Sequence, residues 1–215
     1  MVIQIAYTNS NCSDFWKMFI NQNQKNTEMQ LCLITDEFSE EKFNLKSDNV
    51  VIYSNNDPYY SVWVNAVQKF GSDYFIYLQE DFILYNTVNQ MKINEYVEFL
   101  KNNPQYSFVR LLKSGSLNNK KISSTLYEIE CTNTNIFAMQ ATIWRTSDYI
   151  LLMNTVKSPK WLEPSGDYRG KMIELNMNGV YHYDNEPKRG INHYDSNVYP
   201  YIATALVRGK WDMSE

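Results

Sequence analysis

Two adjacent carboxylates interrupt an apolar segment near the middle of the chain. Residues 74–78 are all apolar or aromatic, Gln79-Glu80-Asp81 follows them, and the chain becomes apolar again at Phe82. Carboxylates at the end of a buried strand are costly unless solvent, hydrogen bonds or a cation stabilise them. Because Mg²⁺ and Mn²⁺ prefer oxygen ligands, Glu80 and Asp81 are predicted to bind a divalent metal. A solvated strand end or a salt bridge is the alternative.

The segments around these acids alternate between strands and helices, which indicates an α/β fold. Short apolar runs predict strands, and apolar residues repeated at helical spacing predict helices. We therefore expect a mostly parallel central sheet flanked by helices. In the first half, strands are expected at 2–7, 31–35, 50–53, 74–78 and 106–112, and helices begin at Ser13 (apolar face Phe15, Met18 and Phe19), at Asp57-Pro58 and at Gln90.

The second half alternates less regularly and contains a long polar segment. Residues 184–200 are rich in Asn and Asp, which is typical of a loop, and we expect this loop to act as an active-site flap. The chain of 215 residues is predicted to form a single domain. In this half, strands are expected at 126–130, 137–144 and 181–183, and helices at 146–153 and 167–177.

Composition excludes several classes of function. A net charge of −4 gives no positive field that would attract nucleic acid or an anionic membrane surface. Three widely separated cysteines without a CxxC pair predict free thiols in a reducing, cytoplasmic compartment. No run approaches the ~20 apolar residues that span a bilayer, so membrane insertion is not expected. The motifs GxSxG, GxGxxG and GxxxxGK[ST] do not occur.

Polar side chains follow several of the predicted strands at their carboxyl ends. Thr8 and Ser10 follow the first strand, Asp36 follows the second, Asp57 follows the third, and the acidic triplet follows the fourth. In open α/β sheets, ligands bind beyond the carboxyl ends of the strands. We therefore expect these groups to converge on one ligand-binding edge.

The first strand, the helix beginning at Asp57-Pro58 and the segment YFIYLQEDFILY together resemble the nucleotide-binding half of GT-A-type glycosyltransferases. The second half resembles small glycan-building transferases, and most nearly the first domain of a large chlorella-virus glycosyltransferase, in its segments 137–145, 161–164, 199–201 and 207–211. The resemblance implies a GT-A-like fold with a nucleotide-binding half (about 1–112) and an acceptor-side half with a C-terminal flap (about 113–215). Further domains of a longer chain and a location in the host cytoplasm would agree with a viral origin.

The resemblance also implies a reaction, the transfer of a hexosyl or deoxyhexosyl unit from a UDP-sugar to a glycan hydroxyl. In this family a DxD-like triplet binds Mn²⁺ or Mg²⁺ on the donor diphosphate, and position gives this metal role to Asp81. Gln79 stands where the first aspartate is usual, so Glu80 is either a second metal ligand or a ribose contact. Neutralising the charge of the leaving diphosphate would then drive catalysis.

Nucleotide-binding roles are predicted for the strand ends and for the flap. Tyr7 and Thr8 are expected to contact the base and ribose, with Ser10 and Asp57 beside them; a core tyrosine, a turn threonine and a helix cap are the alternatives. His193 in the flap is predicted to complete the metal shell, and a solvated histidine is the alternative. The cations expected to reach phosphate are Lys188, Arg189, Arg208 and Lys210.

On the acceptor side, Glu163 and Asp167 are the predicted carboxylates within reach of the attacking hydroxyl, as an inverting enzyme requires. Helix capping is the alternative for Asp167. Two other functions stay open. A non-catalytic glycan-binding module is favoured by 17 tyrosines and five tryptophans, which can stack on sugars. A nucleotidyltransferase that makes nucleotide-sugars is the other, although the glycine-rich basic segment expected after its first strand is missing.

Overall fold

An eight-stranded sheet forms the centre of the computed structural model. The structure describes residues 2–115, 120–158, 166–189, 193–202, 206–207 and 210–211. Its strands are β1 (Ile3–Tyr7), β2 (Leu31–Thr35), β3 (Val50–Ile52), β4 (Tyr74–Gln79), β5 (Ile83–Leu84), β6 (Tyr106–Arg110), β7 (Leu126–Ile129), β8 (Thr142–Arg145), β9 (Asn178–His182), β10 (Lys188–Arg189), β11 (His193–Tyr194), β12 (Tyr201–Ile202), β13 (Leu206–Val207) and β14 (Lys210–Trp211). Its helices are α1 (Ser13–Asn26), α2 (Glu40–Phe43), α3 (Tyr59–Phe70), α4 (Gln90–Asn102), α5 (Thr146–Val156) and α6 (Gly166–Glu174).

The sheet has the strand order β3-β2-β1-β4-β8-β6-β9-β7. Strands β1 to β4 pair in parallel, as do β6 and β9. Strand β8 runs antiparallel to β4 and β6, and β7 runs antiparallel to β9. Six of the eight strands therefore share one direction, which confirms the predicted mostly parallel sheet. Their carboxyl ends define one edge of the molecule, which we call the carboxyl edge.

Helices cover both faces of this sheet and form two apolar clusters with it. One cluster contains Trp16 from α1 and Tyr96 from α4. The other contains Trp63 from α3 and Tyr149 from α5. Successive residues of the central strands alternate between the clusters, because side chains of a pleated strand point to opposite faces. None of the helices that the structure describes is long and apolar enough to cross a bilayer.

Helix α1 buries only part of the predicted face: Phe19 is buried and Phe15 is partly buried, but Met18 is not. Met18 was expected to face the core but is 43% exposed, whereas Trp16, Ile20 and Asn23 are buried. Asn23 is tolerated there because it exchanges two side-chain hydrogen bonds with Gln4 of β1, at 2.9 and 3.1 Å. A polar residue in a core position disguises the apolar period, which is why the pattern missed part of the buried face.

Helix α3 begins one residue later than an Asp57 cap would place it. Pro58 has an extended backbone (φ −61°, ψ 133°), and the helix starts at Tyr59. The Asp57 carboxylate instead accepts the backbone N–H of Ser54 at 2.8 Å, so it closes the preceding turn and the predicted capping role is wrong. The helix ends at Phe70, and Gly71, which follows it, has a φ of 63°, a left-handed conformation that favours glycine.

The second half departs most from prediction. The strand expected at 137–144 is observed only as β8, because side chains bind the backbone before it: Arg110 donates to the carbonyls of residues 135 and 136, and Tyr201 accepts the N–H of Ala141. The expected loop at 184–200 contains a short hairpin, β10–β11. Two further ribbons, β5–β12 and β13–β14, join short strands that sequence patterns did not reveal.

A close contact at Gly179 in β9 provides a test of the fold. A Cβ atom added at Gly179 would overlap the buried ring of Phe108 in β6, whereas one added at Gly170 in α6 meets nothing within 4 Å. We expect Gly179→Ala to lower the free energy of unfolding by about 1–3 kcal/mol, the usual cost of overpacking. Gly170→Ala should be neutral or stabilising by up to about 1 kcal/mol. Urea denaturation of both variants measures this, and equal stability of Gly179→Ala and the unmodified chain would contradict the β6–β9 packing.

Candidate functional site

Parallel pairing of β1 with its two neighbours brings three acids to the carboxyl edge. Tyr7 at the end of β1 lies opposite Gln79 of β4 and opposite Ile34 of β2. The chain therefore leaves the sheet at neighbouring points in front of Asp36, Glu80 and Asp81. The prediction that the strand ends converge on one edge is met by these three strands.

The segment after β1 is fixed to Asp36. The backbone N–H and the hydroxyl of Ser10 donate to its carboxylate at 2.6 and 2.8 Å, and the amide of Asn9 donates at 3.1 Å. The same amide donates to the hydroxyl of Tyr53 at 3.2 Å. These bonds hold the turn that leads into α1 in one conformation. Ser10, a predicted nucleotide contact, is therefore bonded to an acid of the protein itself.

Glu80 lies against the thiol of Cys12. Burial raises the pKa of Glu80, and the hydrogen bonds it accepts, including one from Cys12, offset only part of this effect. Burial, followed by the charge of Glu80, raises the pKa of the Cys12 thiol to about 12, and Asp81 and Asp36 add to the shift. Each of these effects disfavours further negative charge. The edge is thus a place where a cation would be stabilised.

A tight turn carries the acids out of β4 and back into β5. The N–H of Phe82 donates to the carbonyl of Gln79 at 3.1 Å, and the N–H of Ile83 donates to the carbonyl of Asp81 at 3.0 Å. The side-chain amide of Gln79 donates to the hydroxyl of Tyr77 at 3.2 Å. Strand β5 then pairs with β12, which fixes the far side of the turn. Backbone hydrogen bonds therefore fix the chain on both sides of Glu80 and Asp81.

No three His, Cys, Asp or Glu side chains form a group that could hold a metal ion within the described ranges. Glu80, Asp81 and His193 therefore do not make up one three-residue shell in this structure. His193 lies in β11, partly buried, and its backbone pairs with Ser114. Among the described residues, the acids of the turn after β4 can therefore offer an ion fewer than three such ligands together.

Aromatic rings pack behind the end of β1. The ring of Tyr7 stacks on Tyr53 at 5.3 Å between centroids and meets Tyr59 edge-on at 5.2 Å. The hydroxyl of Tyr53 donates to the carbonyl of Thr8 at 3.1 Å. Thr8 is buried, with 1% of its surface exposed, while Tyr7 keeps part of its surface at the edge. Thr8 thus has a packing role here, and Tyr7 borders the site from within an aromatic cluster.

Of the four cations predicted to reach phosphate, one is engaged elsewhere, one is exposed, and two have no described side chain. Arg189 pairs with Asp195 at 2.6 Å, and its guanidinium lies 4.4 Å from the ring centroid of Tyr85. Lys188 is exposed on the same hairpin. The residues Glu163 and Arg208 lie outside the described residues, and for Asp167 in α6 and Lys210 in β14 only the backbone is described.

Three side chains near the site or the flap make notable contacts but were not among the predicted site residues. Cys12 touches Glu80, as described above. Arg110 ends β6 almost fully buried and donates to Ser114 and to two backbone carbonyls. His182 is bonded to Tyr96 at 2.7 Å and to Glu186 at 2.8 Å, which agrees with a structural role. Only Arg110 left a sequence signal, a basic residue that closes a buried apolar strand.

A cavity of about 580 Å³ lies at the opposite end of the sheet. Its lining includes Tyr74 at the start of β4 and Arg145 at the end of β8. Arg145 donates to the carbonyl of Leu100 at 2.6 Å and pairs with Asp148 at 2.7 Å. Its guanidinium therefore links the C-terminal part of α4 to the first turn of α5. The acidic edge, where the strand ends and the acids converge, is the better candidate site.

Comparison with known proteins defines the fold. No family model and no curated protein matches the chain. A cytidylyltransferase from Leptospira borgpetersenii matches 94% of this chain and 81% of its own, with 14% identity and a TM-score of 0.52. S. aureus TarS matches at 14% identity and a TM-score of 0.53 over 94% of this chain, which spans only 36% of TarS. An apo UDP-glucose pyrophosphorylase matches 85% of this chain and 90% of its own, with 6% identity and a TM-score of 0.51.

These likenesses establish a nucleotide-diphospho-sugar-transferase-like fold, in agreement with the expected GT-A-like architecture. At such low identity they define the fold alone, because one fold supports several chemistries. Nothing in them links the chain to a virus.

The contact between Cys12 and Glu80 gives a test of the site geometry. With a pKa of about 12, on the order of one Cys12 thiol in 10,000 is ionised at pH 8, so alkylation should be slow. Glu80→Gln removes the negative charge that faces the thiol, which lowers the Cys12 pKa and should speed alkylation by about tenfold. Mass spectrometry after iodoacetamide treatment measures the rate at each cysteine. An unchanged Cys12 rate in Glu80→Gln, or an equal rise in the exposed control Glu28→Gln, would contradict the contact.

Proposed function

We propose that the chain is a metal-dependent glycosyltransferase that moves a hexosyl or deoxyhexosyl unit from a UDP-sugar to a glycan hydroxyl. The observation that supports this most directly is the pair Glu80 and Asp81, held in a tight turn after β4 beside the end of β1. Glu80 is buried enough for its pKa to rise, and Asp36 is fixed close by. A carboxylate in such a setting is stabilised by a divalent cation, and a diphosphate can supply further oxygen ligands.

In this proposal, Asp81 is the main protein ligand of Mn²⁺ or Mg²⁺, and Glu80 is a second ligand or a ribose contact. When bound, the metal supplies positive charge that stabilises the leaving diphosphate. The acceptor hydroxyl forms a bond to the anomeric carbon of the sugar, the bond from that carbon to the diphosphate breaks, and its electron pair leaves with UDP. The hydroxyl proton passes to a carboxylate of the acceptor-side half, for which Glu163 and Asp167 are the candidates.

A nucleotidyltransferase that forms nucleotide-sugars is the second candidate, favoured by the likeness in fold to a cytidylyltransferase and a UDP-glucose pyrophosphorylase. Such an enzyme must bind a nucleoside triphosphate, which carries more negative charge than a nucleotide-sugar. Residues 8–16 after β1 contain no Lys, Arg or Gly. The same segment is bonded to Asp36, which adds negative charge beside it. This observation favours sugar transfer over nucleotidyl transfer.

Calorimetry with UDP tests the metal role of Asp81. We expect UDP to bind in the presence of Mn²⁺ and far more weakly in EDTA. Asp81→Asn should weaken metal-dependent binding by at least about tenfold, since even residues that only support metal ligands are worth ~10–100-fold. The control Asp48→Asn makes the same charge change at an exposed position before β3 and should bind normally. Binding by Asp81→Asn that matches the unmodified protein would remove the proposed metal site.

A product assay separates the two candidate reactions. A UDP-sugar panel incubated with mixed glycan acceptors and Mn²⁺ should release free UDP. A parallel panel of UTP or CTP with sugar 1-phosphates should release no pyrophosphate. Pyrophosphate release without UDP release would favour the nucleotidyltransferase instead.

The raised pKa of Glu80 predicts how metal-dependent UDP binding changes with pH. A metal binds the ionised carboxylate, and a raised pKa means that protonation begins at a higher pH than for an ordinary glutamate. As the pH is lowered, affinity should therefore begin to fall at a higher pH than an ordinary glutamate would give, and Glu80→Gln should bind more weakly but with a flatter profile. Without metal the sign for stability is opposite: the raised pKa makes Glu80 less destabilising as the pH falls. Identical pH profiles for both proteins would argue against a metal contact of Glu80.

A further inference from the structure

Aromatic rings and lysines gather at the carboxyl edge on the side away from the acids. Lys113 follows β6, Tyr183 follows β9, and Tyr194 lies in β11. All three are partly exposed. Together with Tyr127 of β7, Lys121 and Lys188, they form what we call the basic aromatic patch. This patch is separate from the turn that carries Glu80 and Asp81.

Lys113 is held between two tyrosine rings. Its Nζ lies 4.4 Å from the ring centroid of Tyr183 and 4.7 Å from that of Tyr194. The two rings meet edge to face at 5.4 Å, and the N–H of Tyr194 donates to the Lys113 carbonyl at 3.1 Å. The nitrogen of Lys121 lies 5.7 Å from the ring centroid of Tyr127, which is 6.2 Å from Tyr183. The patch is therefore a connected surface with preorganised ammonium groups.

The charge of the patch is not balanced within the part of the chain that the structure describes. Lys113, Lys121 and Lys188 form no ion pair there, whereas nearby Lys120 pairs with Glu128 and Arg189 pairs with Asp195. Lys188 lies opposite Tyr194 in the β10–β11 hairpin. In a protein with a net charge of −4, these three lysines are positive charges that no described carboxylate pairs with. They are complementary to an anion.

The patch and the acids share one edge of the sheet. Strand β9 is three steps from β4 in the strand order, which at the usual spacing is ~14 Å. A short oligosaccharide covers such a distance. The edge is thus acidic at β4, where a metal-bound donor would lie. Three strands further on, at β9, it carries lysines and tyrosines.

We propose that the basic aromatic patch binds an acidic segment of the acceptor glycan. Tyrosine rings offer apolar faces to sugar rings, and Lys113 binds a carboxylate or sulfate of the glycan through charge-assisted hydrogen bonds. The role of this glycan as acceptor rests on the proposed function. Binding itself does not, because it requires neither the metal nor UDP.

Calorimetry with defined saccharides tests the patch. The probes are a galacturonate trisaccharide, a chondroitin sulfate tetrasaccharide, neutral maltotriose and inorganic phosphate. We expect at least one acidic saccharide to bind at least about tenfold more tightly than maltotriose and phosphate. Lys113→Gln should lower that affinity by about tenfold, the loss expected for one charge-assisted contact. The control Lys25→Gln makes the same charge change at the far end of α1 and should bind normally.

Binding of neither acidic saccharide, equal binding of maltotriose, or an equal loss in Lys25→Gln would overturn the proposal. Phosphate that binds as tightly as the saccharides would also overturn it, because the patch would then be a simple anion site. Unchanged metal-dependent UDP binding by Lys113→Gln is expected and shows that the variant is folded. Saccharide binding without any UDP binding would uphold the patch and reject the proposed transfer reaction.

Discussion

The structure depends on parallel pairing between β1 and β4 in a single register. That register sets Tyr7 opposite Gln79, so the turn that carries Glu80 and Asp81 lies beside the turn that begins α1. Burial disfavours the charged form of a carboxylate, and it raises the pKa of Glu80 here. The surrounding hydrogen bonds hold the acids in place without neutralising them. A bound cation is the simplest way to stabilise this arrangement.

The carboxyl edge is divided by charge. Its first part, formed by β1, β2 and β4, carries Asp36, Glu80 and Asp81. Its second part, formed by β6 and β9 with the β10–β11 hairpin, carries partly exposed tyrosines and lysines such as Lys113. A reaction between a metal-bound nucleotide-sugar and an acidic glycan would use both parts. This division explains how a chain with net negative charge can present a cationic surface at a specific place.

Sequence patterns predicted the first half of the fold because its elements are local and regular. Strand β4 and its abrupt acidic end were visible in the pattern, and so was helix α3 up to Gly71. Contacts between residues far apart in the sequence were not visible in the pattern. The burial of Asn23 depends on Gln4 in another element, and the shortening of β8 depends on Arg110 and Tyr201.

At the candidate site, too, sequence patterns revealed local features but not contacts between residues far apart in the sequence. Glu80 and Asp81 could be singled out because two acids in an apolar run are unusual. The thiol of Cys12 could not, since only folding brings it to Glu80. Nor did any sequence pattern indicate that Arg189 pairs with Asp195 and lies over the ring of Tyr85. A cation of the predicted flap is therefore neutralised by an acid of the same segment.

Anomalous diffraction from crystals soaked in UDP and Mn²⁺ tests the central claim most directly. We expect one manganese peak within coordination distance of an Asp81 carboxylate oxygen, with the diphosphate of UDP bound to the same ion beside the end of β1. A manganese peak elsewhere, or ordered UDP with no manganese beside the turn after β4, would contradict it.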